Sequence, residues 1–231
     1  EGSAAFYTQI VQGLDDLRGV VITCEQSLDD QQKVWAKDVA AEVPQAKQTC
    51  TQLMLALADT RYNSNDIRPD NVKEIVRKLK QAQSIIDDLN SQVEQLTGYQ
   101  EVLRVPLENW EDVDALGLEF TVKRDVWFSA AAFESRVKDW MDADFATLNV
   151  AVMEKELSAF MKTLVRAEKT FVDQPMELVP VLREKVQNVK KLIPVITAFS
   201  NPRLKEQHWE KMDAIVGGAI PRPTKGQEDG S

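Results

Sequence analysis

LVPVLREKVQNVKKLIPVITAFSNPRLKEQHWEKMDAIV, residues 178–216, is the stretch whose reading decides the fold. Its first half sets Leu178, Leu182, Val186, Val189, Ile193, Ile196 and Phe199 at steps of three or four, the spacing that keeps one face of an α-helix apolar. Ser200-Asn201-Pro202 then stops the pattern, because the residue before a proline is biased away from helical dihedrals. Leu204, Met212, Ile215 and Val216 mark a second helix. It holds the chain's only histidine, His208, beside Trp209, one of five tryptophans. Two apolar-faced helices meeting at a proline break predict a helical corner, and the rest of the chain reads as helices built to lie against it.

Upstream of the corner, Asn149 is placed to cap a helix whose seam alternates steps of four and three: Met153, Leu157, Phe160, Leu164, Ala167, Phe171. Asp173-Gln174-Pro175 ends that helix. Pro180 falls in a first turn, where its missing donor costs little. Pro194 is interior and predicts a bend, at about 3 kcal/mol against a straight helix. Further back, Trp110, Val113, Leu116, Phe120, Trp127, Ala130, Phe133, Val137 and Trp140 trace a long aromatic-rich face. Tyr99 to Pro106 reads as a connector.

Before the connector, Asn71 and Glu74 have the spacing of a capping box. They precede a heptad seam from Val72 and Val76 through Leu79, Ala82, Ile86, Leu89 and Val93 to Leu96, which ends at Thr97-Gly98. That seam suits an internal bundle helix or a coiled-coil strand. Arg61 to Asp66 has loop chemistry. At the start, Phe6, Ile10, Leu14, Leu17 and Val21 make a helix that Gly13 and Gly19 should weaken or break, at about 1 kcal/mol each. Asp29 or Asp30 would cap a following helix carrying Val34, Trp35, Ala46, Cys50, Leu53 and Leu57, which Pro44 should kink or divide. No strand-like alternation occurs. The expectation is an all-α fold: an elongated bundle of long antiparallel helices with kinks near Pro44, Pro106 and Pro194, and a loose tail after Gly217-Gly218.

Composition bounds the function. Twenty-eight Lys and Arg against 37 Asp and Glu leave a net charge of −9, which argues against nucleic-acid binding. No apolar run approaches the ~20 residues of a membrane span, and the first residues lack a signal-peptide pattern. With no initiator Met and a polar end, the chain reads as an excised piece of something longer. Cys24 and Cys50 fit a reducing compartment as small core residues. One histidine cannot build a multi-histidine metal site, and neither a phosphate-binding glycine loop nor a GxSxG elbow is present. Lys123-Arg124, Lys190-Lys191, Asp87-Asp88 and Glu111-Asp112 read as solvated helix charges. For His208, a catalyst or pH switch competes with a packing residue whose ring bonds nearby backbone. The residues offer no catalytic, metal or cofactor site.

Three sequence blocks closely resemble a motif in the N-terminal region of dynein heavy chains: Leu192-Ile193-Pro194-Val195-Ile196, then Phe199-Ser200-Asn201-Pro202-Arg203-Leu204-Lys205, then His208-Trp209-Glu210. Tyr99-Gln100-Glu101-Val102-Leu103 looks like that region's opening. Val126-Trp127 and Val137-Lys138-Asp139-Trp140 are similar to its paired-tryptophan helix. The resemblance covers roughly residues 99–220. It departs at Gln207, where the family usually has Arg, and at Phe199, where Leu is common. The opening looks more axonemal than cytoplasmic.

The resemblance implies a stem at 1–98, a linker-associated helical module at 99–220 and a flexible tail at 221–231. It also implies a non-catalytic, tail-to-linker lever of an ATP-driven microtubule motor, with ATP and Mg bound in an AAA+ ring outside residues 1–231. Implied partners are the ring and linker, intermediate or light chains, or neighbouring heavy chains, on the cytoskeleton of a cilium or flagellum axoneme, without nucleic acid or membrane. Trp127, Trp140, Pro194, Asn201, Pro202, His208 and Trp209 would carry the structural motif. Two rivals are a spectrin-repeat-like structural protein, suggested by the 105 positions between Trp35 and Trp140, and a helical adaptor.

Overall fold

The computed structural model describes residues 2–143, 147–199 and 203–219, with the side chains of residues 2–6 excepted. Ser200, Asn201, Pro202 and the expected tail at 221–231 lie outside the described residues. The helices are α1 (Gly2–Leu57), α2 (Pro69–Leu103), α3 (Glu111–Asp142), α4 (Val150–Thr170), α5 (Leu178–Phe199) and α6 (Glu206–Val216). The described residues contain no strand, so the all-α expectation holds.

The first helix corrects the reading of the N-terminal third. Neither Gly13, Gly19 nor a cap at Asp29 or Asp30 interrupts it, and Pro44 does not divide it. Two glycines at about 1 kcal/mol each are a small debit against so many residues of ordinary propensity. Pro44 sits on the exposed side between buried Val43 and Ala46, so the carbonyl that loses its donor is on the side open to water. The same holds for exposed Pro194 inside α5.

The chain falls into two compact units. The first comprises residues up to 55 and 83–116. Its core is built from Val39, Val43, Ala46, Cys50 and Leu53 of α1, Ile86, Leu89, Leu96 and Leu103 of α2, and Val113 and Leu116 of α3. The expected connector from Tyr99 is helical as far as Leu103. There Arg104 adopts a left-handed φ of 54°, and the Val105 N–H donates to the Gln100 carbonyl at 3.1 Å. The chain therefore breaks at Arg104, two residues before Pro106. Lys47 ties the following loop down with a 2.6 Å ion pair to Glu108.

The second unit comprises residues 56–82 and 117 onward. Its α2 portion starts earlier than the capping-box reading required. Pro69 occupies the first turn, Asp66 accepts from the Arg68 N–H at 3.1 Å, and Asn71 Nδ2 donates to the Asp66 carbonyl at 2.7 Å. Asn71 is thus already inside the helix, and Glu74 pairs with Arg77 and Lys78 instead. Ile75, rather than Val76, is the buried neighbour of Val72 and Leu79. The α4 seam reads true. Asn149 caps it by accepting from the Val152 N–H, and Met153, Leu157, Leu164 and Ala167 are buried. On α5, Leu178, Leu182, Val186 and Ile193 are buried. Phe133 of α3 meets Phe160 of α4 edge-on at 5.6 Å, the arrangement that aligns a positive ring edge with a negative face.

Candidate functional site

Trp127 is the most tightly held of the motif residues. It has no exposed surface, and its indole Nε1–H donates to the Tyr62 carbonyl at 2.9 Å. A buried indole needs that acceptor, since an unpaired donor costs about 1–3 kcal/mol. Beside Tyr62, the Asn63 carbonyl accepts from the Glu177 N–H at 3.1 Å. The loops leading into α2 and α5 are therefore joined to each other and to α3.

One turn before Trp127, Lys123 corrects the solvated-charge reading. It is only 4% exposed. Its ammonium donates to the Leu57 carbonyl at 2.8 Å, pairs with Glu119 at 2.7 Å and lies 5.7 Å from the Phe171 ring. Every group it faces is electron-rich, which lets a cation survive burial. The sequence held one signal for this: Glu119 four residues earlier, in ion-pairing register.

The corner lies at the far end of α5. Phe199 stacks on Trp209 with ring centroids 5.7 Å apart and planes 16° from parallel, and Trp209 is buried. His208 takes the packing role: the Lys205 N–H donates to its Nδ1 at 2.9 Å, satisfying a backbone group at the start of α6. Gly217 closes that helix with φ 76° and its N–H on the Asp213 carbonyl at 2.9 Å, the left-handed stop that glycine adopts freely. Ile215 and Val216, expected on the apolar face, are exposed. Met212 and Leu204 are half-buried.

Trp140 is half-buried near the end of α3, and Pro194 is exposed. Asn201 and Pro202 lie outside the described residues. Of the two cysteines, Cys50 is buried, and burial with Asp112 nearby pushes its thiol up. Cys24, expected in a core, is exposed. Among the described residues no cluster of three or more His, Cys, Asp and Glu is placed to hold a metal ion. No helix there is long and apolar enough to cross a membrane.

Residues 113–229, just over half of the chain, match the family described as dynein heavy chain, N-terminal region 2. Human dynein axonemal heavy chain 6 is similar at 25% identity over 198 residues, 80% of this chain. Mouse dynein axonemal heavy chain 3 is 23% identical over 68% of the chain, and human dynein axonemal heavy chain 2 is 19% identical over 88%. The chain spans only 5%, 4% and 5% of the length of these three relatives.

Proposed function

The chain belongs to the dynein heavy chain family, N-terminal region 2, and from that premise we propose that it is a non-catalytic helical lever passing force between the tail and linker of a microtubule motor. The observation that carries this reading is the α5–α6 corner, where Phe199 stacked on Trp209 and His208 capping α6 fix where one helix hands over to the next. A lever works only if its joints resist bending, and close-packed aromatic contacts resist it better than a loop does. In this reading Trp127, Trp140, Pro194, Asn201, Pro202, His208 and Trp209 shape the lever. Residues 1–98 serve as stem and 99–220 as the module, with 221–231 as a flexible tail. ATP and Mg belong to other parts of the heavy chain. The axonemal names of the relatives favour a cilium or flagellum, with intermediate or light chains or neighbouring heavy chains as partners.

The test is a full-length heavy chain bearing Trp209→Ala. Microtubule gliding should slow severalfold while basal ATP turnover stays near the parent's. Unchanged gliding with the variant folded would overturn the lever. ATP turnover by residues 1–231 alone would equally sink the non-catalytic assignment. The repeat-protein rival finds no support: Trp35 is 52% exposed while Trp140 is half-buried, so the two do not share a core position.

A further inference from the structure

We propose that residues 10–42 of α1 dock a basic amphipathic helix of a partner polypeptide, which takes over the apolar seam where α2 stops. The proposal concerns the first unit and does not depend on the lever reading. At 100° per residue, Ile10, Leu14, Leu17, Val21, Leu28 and Trp35 fall in the same sector, about 80° wide, as buried Val39, Val43, Ala46, Cys50 and Leu53. All six are exposed, from 45% at Ile10 to 62% at Leu28. One helix thus carries one stripe, interrupted by Glu25 and Gln32, covered from residue 39 onward and bare before it.

The change falls where α2 ends. Gln32 Nε2 donates to the carbonyl of Leu103, the last residue of α2, at 2.7 Å. From that level α1 continues for about 33 Å back to Ile10, at 1.5 Å per residue. At the junction lies an apolar groove of about 350 Å³ lined by Trp35, Val39, Tyr99, Val102 and Leu103, with Asp38 and Glu42 on it. Val102 is 80% exposed. A helix arriving in line with α2 would fill the groove with an aliphatic side chain.

Charge selects the occupant. Of the seven carboxylates and three cations in residues 10–42, Glu25, Asp29, Asp38 and Glu42 lie within about 100° of the stripe's centre, with Arg18 as the one cation there. The carboxylates of Asp38 and Glu42 enter no ion pair among the described residues. A second copy would bring like charges together, and an anionic membrane surface would be repelled. A helix with an aliphatic seam flanked by Lys and Arg matches both the stripe and its rim.

Two synthetic helical peptides with one leucine seam, flanked by Lys in one and Glu in the other, test this by fluorescence anisotropy against the 231-residue chain. The Lys peptide should bind at least tenfold more tightly. Asp38→Asn with Glu42→Gln, and separately Leu17→Asp, should each weaken it about tenfold with thermal unfolding unchanged, since all three positions are exposed. Equal binding of both peptides, or no effect of the variants, would overturn the proposal. So would self-association by light scattering that Leu17→Asp abolishes, which would make the occupant a second copy. Binding of the chain to phosphatidylserine vesicles in preference to the Lys peptide would overturn it in favour of a membrane.

Discussion

Residues 10–35 of α1 and residues 153–167 of α4 are written in the same helical code, apolar side chains at steps of three and four in α4 and of three, four and seven in α1, yet the first stripe is bare and the second is sealed. On α4 the seam closes against α5 and α3, and Leu164 has no exposed surface. On α1 the covering helix ends at Leu103, level with Gln32. Periodicity therefore says which face of a helix wants cover. It does not say whether the same chain supplies it, because that depends on where a distant helix stops.

The largest way to break this comparison uses two tryptophans. Trp127→Ala removes a fully buried ring and leaves the Tyr62 carbonyl without its donor, so stability should fall by about 3–5 kcal/mol. Trp35→Ala, on the bare stretch, should change it by no more than about 0.5 kcal/mol. Urea unfolding of both variants decides. Equal losses would mean that α1 is covered within the chain and that the two stripes do not differ.

A smaller test uses the two cysteines of α1. Cys50 lies within the stripe and is buried, whereas Cys24 lies about 20° outside its edge, on the bare stretch, and is exposed. Alkylation needs an accessible thiolate, and burial raises the Cys50 pKa as well as shielding the sulfur. Iodoacetamide at pH 8 should label Cys24 roughly tenfold or more faster, which mass spectrometry of the peptides reads directly. Addition of a helix that docks on α1 should slow Cys24 without touching Cys50, and comparable rates in the free chain would refute the division of the stripe.

These contrasts also show what was legible beforehand. The seams of α4 and α5, the Asn149 cap, the burial of Trp127 and Trp209 and the backbone-bonded role of His208 all follow from spacing and local chemistry. What failed depended on neighbours. Pro44 looks like a division, yet it lies on the wet side of α1, and Gly13 and Gly19 cost too little to interrupt so long a helix. Lys123 looks like a surface charge until Leu57 and Phe171 are seen beside it. The start of α2 lies earlier than the apolar pattern places it because Pro69 opens the helix and Asp66, outside that pattern, holds the turn before it through the Arg68 N–H and the Asn71 side chain.

The smallest expected effect carries the comparison into electrostatics, setting a paired carboxylate of the second unit against an unpaired one on the bare stretch. Hydrogen bonding to Arg77, and then to Lys78, lowers Glu74 from its ordinary value to about 2. A group whose pKa is depressed on folding contributes stability above its unfolded pKa and loses it as pH falls through the folded value. For Glu74 that window runs from near pH 4.5 down to about 2. Because the pair is exposed, the shift in unfolding midpoint should be small. Glu74→Gln should lower the midpoint slightly at pH 7, and the gap from the parent should close as pH drops toward 2. Glu42→Gln, removing a carboxylate with no partner among the described residues, should leave the midpoint at pH 7 unchanged. Differential scanning calorimetry across pH 2–7 resolves the two. If the Glu74→Gln gap persists unchanged at pH 2, the substitution acts through something other than the ion pair, and if Glu42→Gln destabilises equally, that carboxylate is held inside the chain and is not free to meet a basic helix.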